Sequence, residues 1–510
     1  MVKNLNIIKR DGSIVEFNRC KIEDAILKAM KYGSGIYEEE IAKKIAKEIE
    51  INCFENENSP TVYQVENMVY NKLIQYKHEL TAKAYEGYRA VQSFKREVNT
   101  TDDSIIGLLD KSNEEVINEN SNKNGVLAST QRDLIAGEVS KDISRRKIIP
   151  AHIVHAHDEG VLHYHDMDYA MQPIHNCMLI NLEDMLQNGT VINNKLVESP
   201  KSFSTACTIV TQIIAQIASG QYGGNTITIK HIAPFLRVSY DKYFNKYKEK
   251  YTEEMAHELA EDRMLEELKS GIQTIRYQLS TLHTSNGQSP FSTIYLEIEE
   301  GHEYEREMAL ICEEMINQRL EGMKNHKGQQ IGEEFPKLVY LLDEHNCLEG
   351  GKYDYITKLA AKCNTKRLVP DYQSAKIMRK NYEGCTFPPM GCRSHLSPWK
   401  DENGKYKWYG RFNQGVISLN LVQVALTANK DMDKFWEILD ERLELCKEAL
   451  MVRHNLLMGT TSDVSPIHWQ HGGIARLKKG EKIDSLLKDG YSTLSLGYVG
   501  VYEMTQAMLG

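Results

Sequence analysis

Several features are scarce or missing in this sequence. Ten cysteines are spread over 510 residues, and no two of them form a C-x-x-C pair. That usage excludes a disulfide-rich scaffold and the common structural-zinc and thioredoxin-like spacings. No apolar run approaches the roughly 18 residues of a membrane span, and residues 1–12 lack the hydrophobic segment of a signal peptide. These absences predict a cytoplasmic chain with reduced thiols and no contact with a membrane.

Basic residues are outnumbered as well. Lys and Arg total 62 against 71 Asp and Glu, which gives a formal net charge of −9. An acidic balance argues against a nucleic-acid polymer as the main partner, although single nucleotides need only a local pocket. With 41% hydrophobic and 26% charged residues, the composition is that of an ordinary soluble protein. A chain of this length is expected to form more than one domain.

Proline is also rare, yet residues 386–399 (TFPPMGCRSHLSPW) are rich in it. Pro388 and Pro389 restrict the backbone and remove two hydrogen-bond donors, and Gly391 permits unusual backbone angles directly before Cys392. The stretch therefore predicts a stiff loop with a thiol at its tip. Such loops on a rigid scaffold often carry catalytic residues. A buried structural cysteine in a tight turn is the alternative.

The first hundred residues predict a hairpin followed by helices. Residues 4–18 alternate around an Asp-Gly turn, and Asn18 is a plausible cap for a helix that begins near Lys21. Further helices are expected at about 38–49, 61–74 and 81–97. The polar residues 98–104 (VNTTDDS) are expected to form a linker.

Cations gather at the tip of this predicted hairpin. Lys9 and Arg10 precede the turn, and Asn18 and Lys21 follow it at the start of a helix. A helix N-terminus with nearby cations suits phosphate binding. A solvated hairpin tip without a ligand is the alternative interpretation.

Strand-like and helical segments alternate in the rest of the chain. Ser199 and Pro200 look like the cap and first residue of a helix that extends to residue 219. Strand-like runs are expected at 161–166, in two pieces within 279–298, and at 337–342. This alternation predicts an α/β barrel or a wound sheet. A metal site near the histidines of 161–166 lacks further ligands at a fitting spacing.

Eight short motifs together suggest a family. They are HYHDMDY, NCMLIN, GQYGGNTI, TSNGQSPF, PPMGCRSHL, GRFNQGVISLNL, SPIHWQHGGIARL and STLSLGYVGVYE. Their order resembles that of anaerobic (class III) ribonucleotide reductases, the oxygen-sensitive glycyl-radical enzymes that make deoxyribonucleotides. Residues 4–97, with IKRDGSIVEFNRCKIEDAILKA and then AYEGYR, resemble the ATP-cone, a regulatory nucleotide-binding domain.

This resemblance implies the fold class and the domains. The fold is expected to be α/β, with a ten-stranded barrel of two half-barrels that is incomplete here. A small, mostly helical ATP-cone with a β-hairpin should precede it. The expected domains are 1–97 for the ATP-cone and 98–510 for the catalytic barrel, with residues 386–399 as its finger loop.

The resemblance also implies catalytic roles for five residues. Cys392 would carry the thiyl radical that removes the 3′-hydrogen of a ribonucleotide, expected to be a triphosphate. Cys177 would donate a hydrogen atom at C2′ after the 2′-hydroxyl leaves as water. Asn413 would hold the substrate hydroxyls or formate, because its amide both donates and accepts. Ser394 and His163 are further candidates for the same polar cluster. Cys177 with Asn413 resembles the subgroup that uses formate as reductant.

Two effector sites are implied in addition. A site for ATP or dATP in the cone would involve Lys9, Arg10, Asn18, Lys21, Thr61 and Lys95. A dNTP specificity site at a dimer interface would involve Glu198, Lys201 and Gln212, with the lysine in the first turn of a helix. The acidic residue of the second cone strand is displaced, because Glu16 follows Val15. That shift leaves the contact to the nucleotide sugar open. A homodimer or higher oligomer and an activating radical-SAM enzyme are the implied partners.

The sequence departs from the family pattern near its end. The family continues into a glycyl-radical motif and a zinc site of two C-x-x-C pairs, and neither occurs in these 510 residues. The first hypothesis is a large reductase fragment completed by a separate C-terminal chain that carries both. The second is a catalytically inactive nucleotide-binding fragment that sets oligomeric state. A formate-lyase type of glycyl-radical enzyme is disfavoured, because two adjacent cysteines are typical of its finger loop, whereas Cys392 lies between Gly391 and Arg393.

Overall fold

The computed structural model of the protein describes residues 6–8, 14–55, 59–109, 123–285, 287–391 and 393–510. The chain divides into two compact units, Met1–Ile106 and Gly107–Gly510. Three predicted site residues, Lys9, Arg10 and Cys392, lie outside the described residues, and Lys95 is described only by its helical backbone. Among the described residues, no helix combines the length and apolarity that crossing a bilayer requires.

The N-terminal unit is a hairpin packed with helices, as the sequence predicts. Its elements are β1 (Asn6–Ile8), β2 (Ile14–Glu16), α1 (Arg19–Ala29), α2 (Glu39–Glu55), α3 (Val62–Gln75) and α4 (Glu79–Leu109). The two strands pair antiparallel. Asn18 caps α1, because its side-chain oxygen accepts a hydrogen bond from the Cys20 backbone N–H at 3.0 Å. Ile26, Ile45 and Leu73 are fully buried and join α1, α2 and α3 into one core.

The predicted linker at residues 98–104 is wrong. The helix α4 continues through it without interruption and ends at Leu109. The stretch VNTTDDS is polar, but it contains neither proline nor glycine, so nothing in its backbone chemistry stops a helix. Beyond it, Leu108 is buried against Leu134.

The second unit surrounds a mixed sheet with helices. Its helices are α5 (Ala128–Ile143), α6 (Ala151–Asp158), α7 (Leu182–Gln187), α8 (Phe203–Ala218), α9 (Ala233–Tyr247), α10 (Glu253–Thr281), α11 (Glu305–Glu321), α12 (Glu344–Cys347), α13 (Asp354–Arg367), α14 (Ala375–Asn381), α15 (Leu421–Ala428), α16 (Met432–Leu457), α17 (Pro466–Trp469) and α18 (Val501–Leu509). Its strands are β3 (Leu162–Tyr164), β4 (Met178–Leu179), β5 (Thr190–Ile192), β6 (Lys195–Val197), β7 (Asn225–Thr228), β8 (Ser292–Leu296), β9 (Met323–Lys324), β10 (Gln330–Ile331), β11 (Lys337–Leu342), β12 (Asp371–Ser374), β13 (Arg411–Asn420) and β14 (Thr493–Val499).

Within the described residues the main sheet has eight strands in the order β12-β11-β8-β7-β4-β13-β14, with β3 also paired to β13. The first five strands of that order run parallel to one another. The strands β13 and β14 are parallel to each other, and β13 is antiparallel to β4. Two parallel groups thus meet at one antiparallel seam, and the sheet curls into a half-barrel. Residues 386–399 lie between the two groups in the chain.

The two faces of this sheet are covered by different parts of the chain. Ile227, Ile294 and Leu338 point to one face and pack with residues of α8, α10 and α11 in the main apolar core. Leu179 points to the opposite face, where it packs with Phe387 and other residues of the 386–399 stretch. The helices therefore cover one face and the finger loop covers the other.

Two predicted boundaries in this unit shift. The helix α8 begins at Phe203, and its cap is Ser202, whose hydroxyl accepts from the Thr205 backbone N–H. The prediction that Ser199 and Pro200 start the helix is therefore wrong, because a better-placed hydroxyl follows them. The first strand-like piece within 279–298 is also wrong at its start, because α10 extends to Thr281. The strand predicted at 337–342 is confirmed as β11.

Candidate active site

The candidate site lies at the antiparallel seam between β4 and β13. The Asn413 backbone N–H donates to the Cys177 carbonyl oxygen at 2.8 Å, and the Asn176 N–H donates to the Asn413 carbonyl oxygen at 3.0 Å. The Cys177 thiol is 2% exposed and donates to the Asn176 side-chain oxygen at 2.9 Å. Two of the predicted catalytic residues are thus joined directly through their backbones.

A glycine-rich loop, residues 220–224, packs against Cys177. The Gly224 backbone N–H donates to the Cys177 Sγ at 3.3 Å. A Cβ on Gly223 would lie 1.9 Å from the Asn176 Oδ1 and 2.7 Å from the Cys177 Sγ. Only a residue without a side chain permits this approach, which gives the glycines of the motif GQYGGNTI a physical reason.

The same loop touches the finger. A Cβ built on Gly391 would lie 2.6 Å from the Gly224 Cα, so the two backbones are in direct contact. On the neighbouring strand, the Thr226 hydroxyl donates to the Pro389 carbonyl oxygen at 3.0 Å. Cys392 itself is outside the described residues, but its neighbour Gly391 is held beside the loop that contacts Cys177.

The finger forms a tight turn around this contact. The Met390 N–H donates to the Ser394 carbonyl oxygen at 2.8 Å, and the Arg393 N–H donates to the Met390 carbonyl oxygen at 2.7 Å. Arg393 has a φ of 75°, a left-handed conformation that a non-glycine residue rarely adopts. Ser394 is half-buried and helps to close the turn through its backbone. The loop predicted from the prolines is confirmed in these described residues.

The side-chain amide of Asn413 makes hydrogen bonds through its nitrogen but not through its oxygen within the described residues. Its Nδ2 donates to the Thr493 hydroxyl at 3.1 Å and to the Ser495 hydroxyl at 2.6 Å, both on β14. Its Oδ1 is buried and has no hydrogen-bond partner within the described residues. A buried amide oxygen without a partner costs free energy unless another group binds it. The arrangement can accept a hydrogen bond from a ligand hydroxyl.

Arg411, which the sequence does not single out, is a second notable residue of β13. Its guanidinium is fully buried and donates to the carbonyl oxygens of Tyr491 at 2.7 Å, Gly490 at 2.7 Å, Ser397 at 2.8 Å and Lys407 at 3.1 Å. Burial lowers the pKa of Arg411 to about 10. Through Ser397 this residue ties the finger loop to β13 two positions from Asn413. Sequence alone offers no signal for this, since a lone arginine in GRFNQG looks like any surface cation.

His163 lies on β3, which pairs with the later part of β13. It pairs with Ser418 on β13, five residues from Asn413, and its side chain is exposed. Its ring lies 5.0 Å from that of His157 and 4.4 Å from that of His165, centroid to centroid. Burial lowers the pKa of His157 and of His165 to about 4. Among the described residues, these histidines do not form a group that could hold a metal ion.

The predicted effector residues are only partly described. Glu198, Lys201 and Gln212 are exposed, and Lys201 precedes α8 rather than lying in its first turn. In the cone, Lys21 is exposed, and Thr61 caps α3 in a capping box with Gln64. Thr61 also lies beside β1, because Ile8 forms a bridge with it.

Two family models match the chain. The model described as "Anaerobic ribonucleoside-triphosphate reductase" matches residues 119–510, and the model described as "ATP cone domain" matches residues 5–93. The ATP cone implies that nucleotide effectors bind to the N-terminal unit.

Curated relatives agree with these matches. The anaerobic ribonucleoside-triphosphate reductase of Escherichia coli (strain K12) is 37% identical over 511 residues, which cover 99% of this chain and 70% of the relative. The protein of the same name from Enterobacteria phage T4 is 39% identical over 417 residues, 79% of this chain and 67% of the relative.

Solved structures support the fold. The anaerobic ribonucleotide reductase from Thermotoga maritima in complex with dATP and CTP superposes with a TM-score of 0.53 at 16% identity, over 81% of this chain and 68% of that one. The same enzyme with glycerol in the active site gives a TM-score of 0.55 at 15% identity, over 82% and 68% of the two chains. Taken with the family matches, these findings make the chain an oxidoreductase that belongs to the anaerobic ribonucleoside-triphosphate reductase family.

Proposed function

We propose that this chain reduces ribonucleoside triphosphates by thiyl-radical chemistry with formate as the reductant. The overall change converts a ribonucleotide, formate and a proton into a deoxyribonucleotide, carbon dioxide and water. Cys392 as a thiyl takes the 3′-hydrogen, the 2′-hydroxyl leaves as water with the proton of the 3′-hydroxyl, and Cys177 gives a hydrogen atom to C2′, which leaves a 3′-ketone and a Cys177 thiyl. Formate then returns a hydrogen atom to Cys177 and passes its remaining electron to the 3′-ketone as it becomes carbon dioxide. The ketone takes up one proton, and the Cys392 thiol gives the hydrogen atom back to C3′ and becomes a thiyl again. Asn413 accepts a hydrogen bond from a substrate hydroxyl at its open Oδ1.

One observation carries this proposal. Gly224 contacts both halves of the site, because its N–H donates to the Cys177 Sγ and its Cα touches Gly391 of the finger. Gly391 directly precedes Cys392 in the sequence, so one short backbone segment contacts both Cys177 and the neighbour of Cys392. Proximity of this kind converts reaction with a bound substrate into an effectively unimolecular step. Burial of Cys177 also keeps water from a reactive intermediate.

The radical source belongs to polypeptide outside residues 1–510 in this proposal. A glycyl radical on that polypeptide would supply the unpaired electron that makes the thiyl, an activating radical-SAM enzyme would generate it, and a zinc site would lie in the same segment. The edge strand β14 supports a covering polypeptide, because Leu496, Tyr498 and Val499 leave 44%, 66% and 55% of their surfaces exposed. Apolar side chains on an open edge strand favour pairing with further chain.

The test is an anaerobic assay with isotopically labelled formate. The chain is mixed with a C-terminal segment that carries the glycyl-radical motif, with the activating enzyme and with a ribonucleoside triphosphate. We expect one labelled carbon dioxide per deoxyribonucleotide, and loss of both products in Cys392→Ala and Cys177→Ala. Cys385→Ala is the matched control, because this half-buried thiol lies just before the finger. Turnover that survives Cys392→Ala would contradict the thiyl role.

The same proposal assigns two regulatory sites. ATP or dATP binds the cone at Lys9, Arg10, Asn18, Lys21, Thr61 and Lys95, and a dNTP binds at Glu198, Lys201 and Gln212 across a dimer. The position of Thr61 beside β1 supports a common cone site. Lys21→Ala should weaken dATP binding, whereas Lys28→Ala on the same helix should not. Equal affinity in both variants, or a chain that stays monomeric with dATP, counts against this assignment.

A cytoplasmic location completes the proposal. Cys20, Cys207 and Cys312 are free thiols, as a reducing compartment would keep them. Fractionation of cells that express the full chain checks it, with a periplasmic or membrane fraction as the contrary result.

A further inference from the structure

A cavity of about 390 Å³ lies beside the C-terminal end of α8. It is a half-open cleft bounded by the end of that helix, the turn between β5 and β6, and the segment around α17. Its lining residues are Val191, Asn193, Asn194, Gln216, Ser219, Gly220, Ser285, Val464, Ser465, Pro466, Ile467 and His471. This volume falls within the range of roughly 300–1,000 Å³ typical of small-molecule sites. None of the residues proposed above for substrate or effectors lines it.

The chemistry of the lining is polar but uncharged. No Lys, Arg, Asp or Glu is among these described lining residues, and burial lowers the pKa of His471. Asn193 and Asn194 are exposed and Gln216 is half-buried at the cavity, so the donors and acceptors of their side-chain amides can reach a ligand. Val191, Val464, Pro466 and Ile467 add apolar surface.

Two of these residues, Asn193 and Asn194, form a tight turn. Asn193 and Asn194 have φ angles of 48° and 59°, which fit a two-residue hairpin turn between β5 and β6. The turn therefore places both residues at the cavity rim, where their side-chain amides can reach a ligand. Amide groups discriminate between ligands by their pattern of donors and acceptors.

We propose that this cavity binds an uncharged nucleoside. Amide side chains match the donor and acceptor edges of a nucleobase, and the apolar lining suits its flat faces. A phosphate ester is disfavoured, because a lining without a cation leaves a phosphate unpaired. The site thus differs in ligand charge from the proposed specificity site, although Gln212 lies one helical turn from Gln216.

The cavity is connected to Cys177 by a short stretch of backbone. Gly220 lines the cavity, and a Cβ there would lie 2.8 Å from both the His468 Cε1 and the Ser465 Oγ. Gly220 begins the loop whose later residues, Gly223 and Gly224, contact Cys177 and the finger. Backbone movement at the cavity therefore reaches the candidate active site within four residues.

Three side chains in contact, the half-buried Ser465 and the buried His468 and His175, lead in the same direction. The Ser465 hydroxyl is hydrogen-bonded to the His468 Nδ1 at 2.6 Å. The His468 ring lies 5.0 Å from that of His175, which directly precedes Asn176 and Cys177. A ligand that displaces Ser465 would alter the packing behind the thiol. The cavity is accordingly a regulatory site for the reductase in this proposal.

Titration calorimetry on the 510-residue chain tests the binding. The probes are the four common ribonucleosides, the matching triphosphates and free ribose. We expect at least one nucleoside to bind once per chain, and its affinity to fall about tenfold in Gln216→Ala and in Asn194→Gly, which keeps the turn. Val464→Trp, at a position 47% exposed, should fill the cavity and abolish binding without unfolding the chain. Lys201→Ala should leave the affinity unchanged.

Three outcomes would overturn the assignment. They are no saturable binding by any nucleoside, tighter binding by the triphosphate that Val464→Trp removes, and affinity that none of the cavity variants changes. Binding of ribose with equal affinity would also overturn it, because a nucleobase would then contribute nothing.

Hydrogen exchange tests the link to the active site and does not depend on reductase turnover. The bound nucleoside should slow exchange of the backbone amides of residues 220–224, including the Gly224 N–H that donates to the Cys177 Sγ. The amides of β11 serve as an internal control without contact to the cavity. Binding that leaves exchange in 220–224 unchanged would overturn the regulatory part of the proposal. Failure of the radical assay would bear on the proposed function alone, because neither measurement here uses it.

Discussion

The two faces of the main sheet bury their side chains in different ways. On the helix-covered face, Ile227, Ile294 and Leu338 are at most 1% exposed and pack in one apolar core. On the finger-covered face, Thr226, Thr293 and Asn413 are equally buried but polar. Within the described residues, the Thr293 Oγ1 and the Asn413 Oδ1 have no hydrogen-bond partner.

This difference means that the two faces contribute differently to the stability of the fold and to its activity. Apolar burial stabilises the fold and tolerates many exchanges of similar volume. Buried polar atoms without partners cost free energy, so a fold keeps them where a ligand or a reaction uses them. We therefore expect substitutions on the helix side to lower stability and substitutions on the finger side to lower activity.

The largest expected effect is on the helix side. Ile294→Ala removes a fully buried side chain and leaves a cavity, so the free energy of unfolding should fall by about 2–5 kcal/mol. Denaturant unfolding measures it, with Ile294→Val as the milder control at about 1 kcal/mol. Turnover per folded molecule should hardly change. A selective loss of turnover at full stability would break the division between the faces.

The next effect lies at the glycine loop. A Cβ in Gly223→Ala would overlap the Asn176 Oδ1 and push on the Cys177 Sγ, so turnover in the anaerobic assay should fall about 100-fold. The control is Gly137→Ala in α5, where a Cβ would meet Asp168 at an ordinary 3.5 Å. Alanine in a helix should be neutral or slightly stabilising there. Equal turnover in both variants would mean that the loop does not position Cys177.

Arg411 tests whether a buried cation on the finger side also holds the fold. Arg411→Met leaves four carbonyl oxygens without their donor, and we expect a loss of about 2 kcal/mol in unfolding free energy. Arg411→Lys should recover only part of it, because one ammonium cannot reach the same carbonyls as a planar guanidinium. If the methionine variant is as stable as the parent, the finger is held by other contacts.

His468 is a buried polar residue on the helix side, and its contribution to stability depends on pH. Burial lowers its pKa to about 3, whereas an unfolded histidine titrates near its ordinary value of 6.5. Its contribution to stability is therefore present above pH 6.5 and is lost as the pH falls from there towards 3. The unfolding free energy should fall by about 1.4 kcal/mol per pH unit from this residue.

In His468→Gln, the unfolding free energy should fall less steeply between pH 6 and pH 4, because the contribution of His468 is gone. Urea unfolding at each pH measures it. His155→Gln, at an exposed position of α6, is the control. If His468→Gln leaves the pH dependence of the unfolding free energy unchanged, the ring takes up a proton as readily in the folded state as in the unfolded state.

Local chemistry explains which parts of the fold the sequence predicts. The hairpin β1–β2, the Asn18 cap and the strand β11 follow from turn residues, capping side chains and alternation, and the structure confirms them. The linker at 98–104 fails because polarity alone does not end a helix. The start of α8 fails because two serines compete for the cap and only the position of Ser202 in the fold decides.

The residues of the candidate site were also only partly predictable from the sequence. The sequence predicts catalytic roles for Cys177 and Asn413, which stay predictions, and the structure joins the two backbones by a hydrogen bond. The roles of Cys392, Ser394 and His163 stay predictions. Gly223, Gly224 and Arg411 were missed as individual residues, because their importance lies in contacts with segments far away in the sequence. No local pattern reports which carbonyl an arginine will reach.

The smallest expected effect concerns the hydroxyl that joins the sheet to the finger. Thr226→Val keeps the side-chain shape but removes the bond to the Pro389 carbonyl oxygen, so the unfolding free energy should fall by about 1 kcal/mol. Thr293→Val is the matched control one strand away, because its buried hydroxyl has no partner among the described residues and its removal should be neutral or stabilising. If the hydroxyl of Thr226 serves only stability, turnover per folded molecule will stay unchanged. If it holds the finger in register with Cys177, turnover will fall by more than the stability loss explains, and the finger-side face will have been shown to position as well as to pack.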